Sequence, residues 1–74
     1  MKKVKYDYSK LRGKIREVYK TESAFAHAMQ LKTPALSRRL CNTAEWKRPE
    51  ILCACDLLGI PLEEIHLYFF VVEL

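Results

Sequence analysis

The chain has 74 residues, half of them apolar and 30% charged, a composition too hydrophobic for a disordered polymer and short enough for only one small domain, expected to span residues 1–74. A core of this size is marginal unless the helices pack closely or a second chain joins in. The formal net charge of +4 is unevenly spread, with 13 Lys/Arg against 4 acidic groups in residues 1–48 and no Lys or Arg against 5 acidic groups in residues 49–74, so one end is basic and suits a polyanionic partner.

No apolar run approaches the roughly 18–20 residues of a membrane span, and the N-terminal MKKVKYDYSK lacks the apolar core of a signal peptide. A cytoplasmic protein without a membrane partner is expected. Cys41, Cys53 and Cys55 contain no CxxC pair, and a C-x-C spacing on a helix turns its side chains about 200° apart. Disulfides and metal ligation are therefore not expected, and all three read as small buried residues.

In chain order, KVKYDY at residues 3–8 alternates polar and apolar side chains, which reads either as a short strand or as a basic arm. Asp7 or Ser9 can cap a first helix, in which Leu11, Ile15, Val18 and Tyr19 share one face while Lys10, Arg12, Lys14 and Glu17 lie outside. Gly13 in its middle costs roughly 1 kcal/mol against Ala. Thr21 is a suitable N-cap for a second helix with Glu22 at its positive end and Phe25, Ala26 and Met29 inward. Residues 30–32 break that pattern and form a corner with Leu31 as its apolar residue. Thr33 precedes Pro34, which biases Thr33 toward the extended backbone of an N-cap and suits Pro34 to the first helical position. A third helix is expected from Pro34 to Cys41.

Residues 21–41 thus read as a helix pair. On the third helix Leu36 and Leu40 fall to one side, and Pro34, Ser37, Arg38 and Cys41 to the other. The leucines anchor it and the opposite face is free. Arg38 has the two-pronged geometry for a guanine edge or a phosphate, Ser37 donates or accepts, and Lys32 and Thr33 stand at the helix start, where a groove-inserted helix approaches closest. Arg39 lies toward the flank, a position for a phosphate contact or a simply solvated side chain rather than a base reader.

After the loop NTAE, Pro49 marks the first turn of a fourth helix, about residues 48–58, with Ile51, Ala54, Cys55 and Leu58 inward and Gly59 as its stop. Lys47 and Arg48 at its start are phosphate candidates, because the helix dipole adds to their charge. Trp46 is expected to pack between the third and fourth helices with its N–H left for the surface or a phosphate. Pro61 opens a short fifth helix with Glu63 and Glu64 at its negative-charge positions and Leu62, Ile65 and Leu67 as core residues. Residues 67–72 form a strand-like apolar run. It pairs with residues 4–8, pairs with its copy in a second chain, or packs as an extended tail, so residues 67–74 are a candidate dimerisation element.

The segments YDYSKLRGKIREVY, SAFAHAM, EWKRPEI, LLGIPLEEI and YFF resemble small phage and prophage regulators of the Cro type, within the lambda-repressor-like helix-turn-helix family. The resemblance covers about residues 6–70. It implies a mainly α, compact five-helix fold, with a short strand expected at one or both ends, whose second and third helices read DNA. Ala26 falls at the small helix–helix contact and Leu36 at the packed position of the reading helix. Family members commonly bind two-fold operators, which implies a homodimer. Glu22 stands where many members have a Gln that contacts phosphate, and that role is not carried onto an anionic side chain. Gln30 replaces the usual turn glycine and must adopt a left-handed conformation or reshape the corner.

The remaining polar residues carry no catalytic pattern. Glu63 and Glu64 point about 100° apart on a helix, His27 and His66 are single histidines, and no phosphate loop or metalloprotease motif occurs. An enzyme, a cofactor, a metal or a small-molecule ligand is therefore not expected. The expected function is a dimeric transcriptional repressor that occupies a double-stranded DNA operator through Lys32, Thr33, Pro34, Ser37, Arg38, Arg39, Lys47 and Arg48. The alternative is a protein-interaction module whose third helix binds another regulator.

Overall fold

A computed structural model describes residues 4–73 as five α-helices: α1 (Ser9–Tyr19), α2 (Glu22–Ala28), α3 (Thr33–Leu40), α4 (Arg48–Leu58) and, after a 3-10 turn at Leu62–Glu64, α5 (Ile65–Phe69). The mainly α, five-helix architecture expected from the sequence is the observed one. Among the described residues, its core is a cluster centred on the fully buried Leu11, Ile15, Phe25, Leu36 and Phe69.

Local chemistry accounts for most boundaries. Asp7 Oδ1 accepts from the Ser9 N–H at 2.9 Å and from Ser9 Oγ at 2.6 Å just ahead of α1. Thr21 caps α2 by accepting from the Ala24 N–H at 3.1 Å, leaving Phe25, Ala26 and Met29 buried as their spacing predicts. α4 stops at Gly59, whose φ of 68° is the left-handed conformation glycine accepts without strain. Ala54, Cys55 and Leu58 are buried on its inner face.

α3 departs slightly from expectation. The extended residue ahead of it is Lys32, whose carbonyl accepts from Ala35 and Leu36, so the helix begins at Thr33. The restriction on a residue before proline is a bias, and Lys32 satisfies the need for an extended cap one residue earlier. Val18 on α1 is 44% exposed, so that helix buries a narrower stripe, Leu11 and Ile15, than the periodicity predicts.

The larger corrections lie at the C-terminal end. Leu62 and Leu67 are exposed, and Tyr68 and Phe69 occupy the core in their place. The tight 3-10 turn rotates the short helix that follows, and bulky rings fill the space: Phe69 packs edge-on against Trp46 with centroids 5.0 Å apart. Trp46 also lies 6.5 Å from Tyr8, so it packs toward α5 and the N-terminal segment. Its Nε1 is buried without a partner and does not serve as a surface donor.

The strand-like run at 67–72 is helical in its first half. Only its end is extended, in one antiparallel bridge between Tyr6 and Val72, flanked by Asp7 N–H to Val71 O at 2.7 Å and Glu73 N–H to Lys5 O at 2.8 Å. Leu74 lies outside the described residues, as does Lys3 at the start of the candidate strand or basic arm. Of the cysteines, Cys55 alone is buried, and burial pushes its thiol pKa up; Cys41 and Cys53 are exposed.

Candidate nucleic-acid interface

The geometry of the helix pair is set at Gln30. Its φ is 60°, so a residue other than glycine accepts the left-handed turn, at a strain of roughly 1 kcal/mol. The Leu31 N–H then reaches back to the Ala26 carbonyl at 2.8 Å, and Leu31 packs against the core. Ala26 and Leu36, the positions singled out by the resemblance, are both buried. The corner keeps the helix-turn-helix path with glutamine in place of glycine.

This path anchors α3 by Leu36 and Leu40 and leaves Lys32, Thr33, Pro34, Ser37 and Arg38 exposed together. Among the described residues, α3 carries no acidic side chain. Thr33 Oγ1 lies 3.4 Å from Ser23 Oγ, a loose tie between α3 and the exposed side of α2. Among the described residues Arg38 has no ion-pair partner, while its carbonyl accepts from the Thr43 N–H at 2.9 Å and Thr43 Oγ1 at 3.0 Å. The loop thus caps the end of α3 and leaves the guanidinium free.

Arg39 is a correction. Its Nε and Nη2 donate to the two carboxylate oxygens of Glu50, each at 2.9 Å, and Nη1 donates to the Ala35 carbonyl at 2.8 Å. With 13% of its side chain accessible, it joins α3 to α4 rather than standing on the flank as a free cation. Glu50 also accepts from the Lys47 N–H at 2.9 Å. Burial pushes the Glu50 carboxyl up, but the Arg39 hydrogen bonds, the Lys47 N–H and the nearby charges outweigh it, and the net displacement is downward. Lys47 and Arg48 remain exposed beside this cap.

Sequence reasoning missed Glu50, though the signal was present: it stands three residues after the cap residue Lys47, where a carboxylate reaches back to the cap N–H. Arg12, an outer-face residue by its spacing, is partly covered. It pairs with Glu22 at 2.8 Å and lies 3.4 Å from the Leu40 carbonyl, so Glu22 is occupied by α1.

The fold and this exposed cationic helix face define a small helical helix-turn-helix protein. The model of a family described as "Protein of unknown function (DUF739)" matches residues 4–72, and the chain belongs to that family. No curated protein matches it. Among solved structures, the chain is similar to the modulator of repression (MOR) of the temperate bacteriophage TP901-1 from Lactococcus lactis, a solution structure, with 43% identity over 88% of each chain and a TM-score of 0.79. The likeness is to a phage regulator. Among the described residues no helix is long and apolar enough to cross a membrane.

Proposed function

We propose that this protein is a phage transcription regulator of the Cro type that binds operator DNA by inserting α3 in the major groove. The observation that carries this reading is the left-handed Gln30 corner, which presents Lys32, Thr33, Ser37 and the unpaired Arg38 on one exposed face. Arg38 reads a base edge or grips a phosphate, and Pro34, which lacks an N–H, fixes the helix start. Lys47 and Arg48 neutralise phosphates from the start of α4. Arg39 serves this surface by fixing α3 to α4.

A homodimer fits the same reading. In an antiparallel ladder, each residue of a pair that does not bond directly turns both its N–H and its C=O away from the partner strand. The bonds on either side of the Tyr6–Val72 bridge therefore turn the Val72 backbone outward. A second copy pairing there buries Phe70, Val71 and Val72, which are 50%, 40% and 50% exposed.

A second reading, from a different class, is that the α3 face docks on a repressor protein. One observation favours it: the similar protein's name is modulator of repression. Titration of genomic fragments at increasing salt separates the two. Only the DNA reading predicts that log affinity falls steeply and linearly with log salt. Salt-insensitive or absent DNA binding, together with saturable binding to a purified phage repressor protein, supports the second.

A further inference from the structure

Asn42 follows α3 directly and has a φ of 65°, a left-handed conformation that Asn tolerates better than most residues. There its side-chain amide faces the N-terminal segment. The Tyr6 N–H donates to Asn42 Oδ1 at 2.8 Å, and Asn42 Nδ2 donates to the Tyr6 carbonyl at 2.9 Å. A primary amide making both bonds to one residue takes the place of a neighbouring strand. The other edge of that segment is bonded to residues 71–73 through Asp7 and Lys5. The two-stranded ribbon therefore has one edge closed by Asn42 and the other, at Val72, without a backbone partner among the described residues.

The contact spans 36 residues of sequence and joins two regions that the functional reading treats separately. On the α3 side, the Asn42 N–H donates to the Arg39 carbonyl at 3.4 Å, and the next two N–H groups, of Thr43 and Ala44, donate to the Arg38 carbonyl. Arg38 and Arg39 are the free and the fixed guanidinium of the reading helix. A change in the ribbon that shifts Tyr6 thus meets the end of α3 through one side chain.

We infer that Asn42 is a positioning residue that couples the terminal ribbon to the end of α3, so that pairing on the Val72 edge and binding on the α3 face are thermodynamically linked. The coupling is reciprocal: whatever orders one end favours order at the other. It goes beyond the proposed function and holds whichever polymer α3 meets.

The test is a double-mutant cycle read by amide exchange in the free protein, so it does not depend on DNA binding. Asn42→Gly removes the amide while keeping a residue that accepts the left-handed backbone. Glu73→Pro removes the N–H that bonds Lys5 and leaves Val72 in the extended conformation it already has. Glu73→Pro alone is expected to speed exchange of the Tyr6, Cys41 and Thr43 amides by about tenfold, on the scale of one lost hydrogen bond. In the Asn42→Gly background the same change is expected to leave Cys41 and Thr43 unmoved. The inference is overturned if Glu73→Pro leaves Cys41 and Thr43 unchanged in the otherwise native chain, or moves them equally in both backgrounds. Amides of Met29 and Ile60, which are bonded away from the ribbon, report that the fold is retained.

Discussion

Arg39 and Glu50 form a two-pronged ion pair, with both N···O distances 2.9 Å, and this pair separates two neighbouring arginines into different roles. Arg38, one residue earlier, stays in solvent; Arg39 is taken into the α3–α4 joint. Replacing Glu50 by Ala leaves a largely covered guanidinium without its carboxylate and also frees the Lys47 N–H. A loss of roughly 1.5–3 kcal/mol is expected, measured as a fall in the urea midpoint at unchanged slope. Arg39→Ala is expected to destabilise similarly yet leave the salt slope of DNA binding unchanged, because it removes no phosphate contact.

The same carboxylate predicts a pH response. Glu50 is held below its ordinary value of 4.5 in the folded chain. Its contribution is fully present above the unfolded value and is lost as pH falls through the lower folded value. Asp7, lowered by its two bonds to Ser9, acts in the same direction. Melting temperature should therefore drop through the acid range, and Glu50→Gln should reduce that drop. An equal drop in both proteins would remove Glu50 from the account.

Gln30 pays for its place at the corner with strain, so Gln30→Gly is expected to stabilise the protein by about 0.5–1 kcal/mol, since glycine accepts a φ of 60° freely. Chemical denaturation measures the gain. Operator affinity should stay the same, because Gln30 is absent from the proposed contacts.

How far this architecture could be read in advance differs along the chain. α2, the corner and α4 were legible because each boundary rests on local chemistry: the Thr21 cap, the Pro49 start and the Gly59 stop. The Leu36 and Leu40 anchors followed from spacing alone. α5 was not legible in this way. Leu62 and Leu67 have the right period, but Phe69 packs on Trp46, 23 positions earlier, and Tyr68 lies under Lys10, 58 positions earlier, contacts which no local pattern encodes. Arg39 shows the same limit at the site, because its partner Glu50 lies on another helix.

For self-association, Val72→Pro is the informative change. It removes an N–H that faces away from Tyr6, so the ladder within the chain is retained. Sedimentation equilibrium is expected to show a weaker dimer with folding intact. Deleting residues 71–74 should weaken it further. A monomer–dimer balance insensitive to both changes would place the interface elsewhere.

The most direct measurement for the central claim is an affinity titration of the native protein and Arg38→Ala against a duplex selected from a random pool. The α3 reading predicts that Arg38→Ala loses roughly 1–3 kcal/mol on the selected duplex, with a smaller change on random sequence. Equal affinity of the two proteins for the selected duplex, or a pool from which no sequence is enriched, would contradict it.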